Sequence, residues 1–419
     1  MRPPRRPLVL LTLALIAAAC GDDGASPAHD ALGDYVAVGA SHTAGFASDG
    51  LVFEAQSAAY PVLLGRAGEV TVRVPRVQAP GCVPPLVAPL YLGRTLAGTP
   101  AFASVRDTSC LGRFDDSVRA QVVAVPEVTA YAALRFTHDS AFRASDARAR
   151  RALPEILLAG FTQVQQATID RPSLVTVELG FTELVRAVRS GRMVAATAET
   201  YRADTAFTFV PLDVWQPVYD SVVAALATAR RGALLGVPSP TAVPALRGAS
   251  ALDAARDSLR AFGVSLAGDC AGSGNYVYLA KVAAAAAEAA RTGTARTVSC
   301  ADVPGAADSV LTPADVAALA SLRDAMNAHI QGAASARGWA YVDVSAALPS
   351  APPSSYSPGA HLTSTSPYGD GTSLDGIHPD ASGQAGIATA IANALNALYG
   401  LDLIIPVPVQ VGAVRRAMP

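Results

Sequence analysis

Residues 35–45 read YVAVGASHTAG, and both the fold and the chemistry of the chain are read outward from them. Tyr35, Val36, Ala37 and Val38 form a short apolar run of strand formers, stopped by Gly39. A run of that length bounded by glycine has the character of a buried parallel strand, although periodicity alone does not separate it from a buried helix segment. Ser41 then stands where the strand ends and the chain turns. A serine at the carboxyl end of the first strand of an α/β sheet lies at the edge where ligands bind. Its hydroxyl can be exposed there, and backbone N–H groups can face an incoming oxyanion. A serine that only forms a turn would look the same locally.

The far end of the chain separates the two readings. Residues 373–379 read SLDGIHP, with Asp375 and His378 three apart in a loop holding glycine and proline. A serine nucleophile needs a base, and the base needs an orienting carboxylate. One chain supplies all three, in the order Ser, Asp, His. VGASHTAG resembles the first block of the SGNH (GDSL-type) ester hydrolases, usually GDS with a glycine a few residues on. DGIHP resembles their last block, in which Asp-x-x-His completes the triad. The resemblance spans roughly residues 33–400, with insertions. It implies Ser41 as nucleophile, His378 as general base and Asp375 as the group that orients it. It also implies a three-layer α/β/α, flavodoxin-like sandwich on a five-stranded parallel sheet of order 2-1-3-4-5. Acyl transfer of this kind needs no metal or organic cofactor.

Two further blocks depart from that pattern. Residues 121–128 read QVVAVPEV, where the family commonly shows AVPGA and uses the glycine N–H in its oxyanion hole. Glu127 occupies the glycine position. Its N–H survives, but a carboxylate beside a developing oxyanion opposes it unless it points away. Residues 174–179, LVTVEL, read as a strand leading into Gly180, Phe181, Thr182 and Glu183. The family usually has Gly-x-Asn-Asp there, so Thr182 stands for the asparagine donor, with a shorter reach. The alternative is a plain strand-to-helix turn with Thr182 as N-cap. Ala40 replaces the usual aspartate beside the nucleophile. A missing oxyanion donor costs about 10²–10³ in rate. These three replacements sustain a rival reading: a catalytically weak or inactive SGNH-fold binding or structural protein of the cell envelope.

At the other end, Arg2, Arg5 and Arg6 precede an apolar run over residues 8–19. A charged start, a short apolar stretch and a small-residue cleavage point describe an export signal, and the run is short for a bilayer span. Residues 16–20, IAAAC, resemble a bacterial lipobox, which would make Cys20 the acylated first residue of a tether over 20–32 and would hold the protein on a membrane. Ordinary cleavage after Ala19, at an A-x-A site formed with Ala17, is the alternative. Four more cysteines, Cys82, Cys110, Cys270 and Cys300, permit two disulfides in an exported chain, with three connectivities. The nearest-neighbour pairing, Cys82–Cys110 and Cys270–Cys300, is the simplest; buried free thiols are the alternative. A zinc site is disfavoured, because no C-x-x-C pair or close histidine partner occurs.

Net charge −2 and a pI near 6.3 argue against a nucleic-acid partner. The partner expected is an ester, whether lipid, aryl or acyl-sugar. Strands are expected at 35–38, 69–74, 174–179, 233–237 and 339–344. Helices are expected at 57–67, 151–168, 212–230, 312–338 and 382–399. Five strands alternating with helices imply a parallel sheet covered on both faces. Residues 77–118, rich in Pro, Gly and Cys, read as an insertion. Residues 249–310, rich in alanine, read as a second and largely helical one, and 401–419 as a tail. His29, His42, His138, His329 and His361 read as structural.

Overall fold

The computed structural model describes residues 26–102, 110–115, 119–143, 148–348 and 355–406. The export signal, Cys20 and residues 407–419 of the tail lie outside the described residues. The sheet has five strands: β1 (Tyr35–Gly39), β2 (Val122–Ala124), β3 (Leu174–Glu178), β4 (Arg231–Leu235) and β5 (Ala340–Val342). All pairings are parallel, and the spatial order is β2-β1-β3-β4-β5. That is an α/β architecture consistent with a flavodoxin-like arrangement. All five residues of β3 are buried, as a strand covered on both faces requires.

Seven helices matter below: α1 (Ser41–Ala44), α2 (Tyr60–Ala67), α3 (Gln163–Thr168), α4 (Thr182–Ser190), α5 (Leu212–Ala225), α6 (Pro313–Arg337) and α7 (Ala381–Tyr399). α2 packs on α7, whereas α5 packs on α3 and α6. The start of α6 is set locally. Thr312 and Asp315 form a reciprocal capping box, with Pro313 in the first turn.

The second strand is not where the alternation of residues 69–74 put it. Val72 and Val74 are buried and Thr71 and Arg73 exposed, so the pattern is real. The segment stays irregular, because its backbone meets the sheet only at Arg73, whose carbonyl accepts from Gln121 and Val122. The place beside β1 belongs to Val122–Ala124, inside the stretch read as an oxyanion block. The helix expected over 151–168 is two helices, Arg148–Ile156 and α3. Gly160 in a left-handed conformation and a Thr162–Gln165 capping box separate them. Pro154 lies inside the first of these, not in its opening turn.

The second insertion is mixed and not largely helical. It holds the helices Ala249–Ala254, Arg256–Arg260 and Ala280–Thr292, a parallel pair (Val264–Leu266, Arg296–Val298) and two strands (Tyr276–Tyr278, Val310–Leu311) that form an antiparallel sheet with Leu246–Gly248 just before it. Leu86, Leu90 and Ala101 of the first insertion join its apolar core, so the two insertions pack as one body. Disulfides link Cys82 to Cys110 and Cys270 to Cys300, the pairing nearest in sequence. They point to a chain that matures outside the reducing cytoplasm. Among the described residues no helix is long and apolar enough to cross a membrane. The chain joins the body before Gly33: Ser26 caps a short helix, Pro27–Leu32, whose Ala31 and Leu32 are fully buried.

Candidate active site

β1 ends level with both neighbours: Gly39 lies opposite Ala124 of β2 and Glu178 of β3. The chain then turns at Ala40 into α1, so Ser41 opens a helical turn at the carboxyl edge of the sheet. Gly39 is required by close approach, since a Cβ there would fall inside the Thr43 side chain. Gly45 closes the turn in a left-handed conformation, φ 71°.

The carboxylate of Glu178, on the last residue of β3, fastens this turn from beside it. Its Oε2 accepts from Ala40 N–H (2.9 Å), Thr43 N–H (3.2 Å) and Thr43 Oγ1 (3.1 Å). Its Oε1 accepts from His42 Nδ1 (3.2 Å). The anion sits where the first N–H groups of the turn need a partner.

Asp375 and His378 meet as the spacing predicts. His378 Nδ1–H donates to Asp375 Oδ2 (2.8 Å), and Oδ1 accepts the backbone N–H groups of Ile377 and His378 (2.8 Å each). Asp49 N–H donates to Oδ2 as well (2.6 Å). Burial alone would push the Asp375 carboxyl up; His378 and these N–H groups win and hold it at about 2. Burial pushes His378 below the ordinary imidazole value against the pull of Asp375, and Arg189 and His42 add to the lowering. The ring is therefore a free base at neutral pH.

His378 lies beside the Ser41 turn. Its ring is 4.9 Å from that of Phe46 and 5.9 Å from that of His42, centroid to centroid. Phe46 N–H donates to the Ser41 carbonyl (3.0 Å). No hydrogen bond joins Ser41 Oγ to the His378 ring; the hydroxyl instead accepts from Glu127 N–H (2.9 Å). Ser41 and His378 are only 3% and 1% exposed.

Glu127 has φ 58°, the left-handed conformation that glycine adopts freely. Its N–H is thereby presented to Ser41, and its side chain turns to Arg189, whose Nη1 donates to Glu127 Oε1. Arg189 Nη2 lies 3.5 Å from Asp49 Oδ1. Burial works against the Arg189 charge, but Glu127, Tyr278 and Asp375 raise its pKa overall. The carboxylate expected to oppose an oxyanion is thus matched by a cation.

Thr182 is buried. It is the first residue of α4 and not the N-cap; Phe181 holds the cap position without a side-chain bond. Glu183 turns inward, accepting from Ala130 N–H (2.7 Å) and Tyr201 Oη (2.8 Å), and burial pushes its carboxyl up. A cavity of about 310 Å³ opens beside Asp375, Arg189 and Asp49, walled by Leu86 and Phe102 of the first insertion and Ala283 of the second.

The remaining expected positions lie apart from this cluster. His138 pairs with Asp139 and His329 with Asp220, and His361 is buried between Tyr356 and Tyr368. Among the described residues the single His/Cys/acid cluster of metal-binding size is Asp269 with Cys270 and Cys300, whose sulfurs form the disulfide. Glu178 and Arg189 were missed in the sequence. Glu178 had a signal, a charge ending an otherwise apolar strand; Arg189, on an ordinary helix, had none. A scan against protein-family models, a search of curated proteins and a search of solved structures each found no match.

Proposed function

We propose that the chain is an exported, SGNH-like serine ester hydrolase. The observation that carries this reading is the buried Asp375–His378 pair beside a strand-to-helix turn whose Ser41 hydroxyl already meets a backbone N–H, that of Glu127. In the reaction Ser41 Oγ attacks the ester carbonyl carbon and its proton passes to His378 Nε2. The carbonyl oxygen becomes an oxyanion facing the N–H groups of Ser41 and Glu127 and the Thr182 hydroxyl. Collapse breaks the C–O bond, and His378 returns the proton to the departing alcohol. Water then repeats the sequence on the acyl-enzyme. Catalytic hydrogen bonds commonly tighten only with substrate bound, which accommodates the missing Ser41–His378 bond. The apolar walls of the cavity beside Asp375, from Leu86, Leu90 and Phe102, suit the carbon chain or ring of an ester.

The near-complete burial of Ser41 and His378 favours a second reading, an SGNH-fold envelope protein that binds without turnover. One experiment separates the two. A fluorophosphonate probe labels wild type and not Ser41→Ala, and Ser41→Ala and His378→Ala each abolish hydrolysis of short-chain esters, because nucleophile and base act as a unit. A wild type that neither labels nor hydrolyses leaves the binding reading. The same proposal places an acyl anchor on Cys20, outside the described residues. Wild type then partitions into a detergent phase and Cys20→Ala does not; aqueous partitioning of both processed proteins removes the anchor.

A further inference from the structure

Residues 46–51 read FASDGL and run directly out of the Ser41 turn. Ala47 and Gly50 exchange both backbone hydrogen bonds (3.0 and 3.1 Å) and close a two-residue loop. Both central residues have positive φ, Ser48 at 53° and Asp49 at 60°. Loops of that form favour Asn-Gly or Gly-Gly, because L side chains resist positive φ. A Ser-Asp loop is held there against its own preference. Residues in such a state persist only where the surroundings over-determine them, and they cluster at functional sites.

On one side the surroundings are the loop of Asp375 and His378. Asp49 N–H donates to Asp375 Oδ2 (2.6 Å), the oxygen that also accepts from His378 Nδ1. Ser48 N–H donates to Ser373 Oγ (2.8 Å), and Leu374 N–H donates to Ser48 Oγ (3.2 Å). These three bonds join segments 325 or 326 residues apart. On the other side stands the first insertion. Leu86 N–H donates to the Ser48 carbonyl (2.7 Å). Cys82 N–H donates to the Leu51 carbonyl (2.8 Å), and Leu51 N–H returns a bond to the Cys82 carbonyl (3.2 Å). Gly50 permits this approach, since a Cβ there would lie 2.3 Å from the Val83 carbonyl oxygen. The disulfide ties Cys82 in turn to Cys110.

We infer that Ser48 and Asp49 are positioning residues for the Asp375–His378 pair, and that the first insertion, tied by the Cys82–Cys110 disulfide, holds them in place. Asp375 Oδ1 is fixed within its own loop, by the N–H groups of Ile377 and His378. Oδ2 meets the His378 ring on one side and the Asp49 N–H on the other, so the turn sets the plane in which the carboxylate meets Nδ1. Ser48 and Ser373 clasp loop to loop, and the carboxylate cannot swing without opening that clasp. The expected effect on rate rests on the hydrolase reading; the geometry of the pair does not.

The experiment compares wild type with Ser373→Ala, which removes the acceptor of Ser48 N–H. Protein labelled with ¹⁵N at histidine reports the His378 Nδ1–H resonance, and hydrolysis of a short-chain aryl ester reports kcat and KM. Ser373→Ala should shift that resonance and lower kcat about tenfold, the upper end for one neutral hydrogen bond, with KM within about twofold. Ser48→Ala should act in the same direction and serves if Ser373→Ala fails to fold. The two together should cost less than the sum of the single changes, because both belong to one clasp. Cys82→Ser with Cys110→Ser should shift the same resonance, and Cys270→Ser with Cys300→Ser should not. A resonance unchanged in Ser373→Ala and Ser48→Ala overturns the inference whatever the rate does. Equal shifts on removing either disulfide overturn the role given to the first insertion. A wild type without turnover removes the hydrolase reading, and the resonance alone then decides the positioning.

Discussion

Arg189→Met is the sharpest test of how this site tolerates Glu127, where the ester hydrolases that this chain resembles usually have glycine. Arg189 donates to Glu127 and stands 3.5 Å from Asp49, with the two side chains of the Arg189–Glu127 pair about four-fifths buried. Breaking a buried pair costs about 3–5 kcal/mol, and the partial exposure of this one lowers the expectation to about 2–3 kcal/mol of stability. The effect on rate has a separate origin. In the proposed mechanism the Glu127 N–H is an oxyanion donor, and the Glu127 carboxylate is taken as on the order of 6 Å from the developing charge. At an effective dielectric of about 20, that repulsion is roughly 3 kcal/mol once the guanidinium is gone, about a hundredfold in kcat. Arg189 also helps hold His378 down, so its loss moves the acid limb of the rate profile to higher pH.

The assay is hydrolysis of a short-chain aryl ester across pH, with urea unfolding on the same samples. Arg189→Met should be about a hundredfold slower and less stable. Adding Glu127→Gln removes the carboxylate charge while keeping the backbone N–H, so the double variant should regain most of the rate but only part of the stability, because the Arg189–Asp49 contact is still lost. A double variant as slow as Arg189→Met would refute the electrostatic argument, as would an Arg189→Met enzyme of unchanged rate.

Other outcomes follow from the same contacts. The acid limb of kcat/KM in wild type should fall below the ordinary histidine value of about 6.5, because His378 is the free base and burial lowers it; a midpoint above that value contradicts the assignment. Gly39→Ala should cost roughly 1–3 kcal/mol by urea unfolding and abolish turnover, because Thr43 is held by Tyr60 and Glu178 and has nowhere to go. Thr182→Asn should raise kcat, by up to about a hundredfold, if a longer amide reaches the oxyanion; an unchanged rate removes Thr182 from the hole. Burial, helped by Arg247, holds His361 at about 3. The unfolded chain takes up that proton near pH 6.5 and the native one does not, so stability is lost as pH falls from about 6.5 to about 3, by up to about 1.4 kcal/mol per unit. His361→Gln should therefore lose less stability than wild type between pH 7 and 4.5, and equal losses would contradict it.

What was legible in the sequence was local. The apolar run before Gly39 and the one before Gly180 are strands because a buried parallel strand needs nothing beyond apolar residues and a stop. Asp375 and His378 are three apart, so their pairing is a property of one loop. The neighbour of β1 was not legible. Residues 69–74 carry the better alternation, yet the pairing is made by three residues, Val122–Ala124, whose signal is no stronger than that of any short apolar run. The split of 151–168 was readable in Gly160, which the helical spacing of the leucines and Ile156 outweighed. Arg189 meets Glu127 across 62 residues, and no spacing rule reaches that far.

Glu178 explains why the motif around Ser41 could not be judged from its own residues. The turn has no capping side chain of its own: Ala40 holds the N-cap position and offers none. The missing acceptor comes from β3, brought level with Gly39 by the register of the parallel pair. One carboxylate then binds two N–H groups, the Thr43 hydroxyl and the His42 ring. The orientation of Ser41 is thus a property of the sheet and not of the motif. Ala40, where the family that this motif resembles usually has aspartate, is compatible with a formed turn for that reason. Glu178→Gln keeps the shape and removes the charge, so it should leave the fold in place while loosening the turn. Glu178→Ala should strand Ala40 N–H and Thr43 N–H in a buried site, at about 1–3 kcal/mol for each group left without a partner. Unfolding of the two variants with equal cost would overturn this, since it would show that the negative charge, lost in both, holds the turn and that the shape Gln keeps contributes nothing.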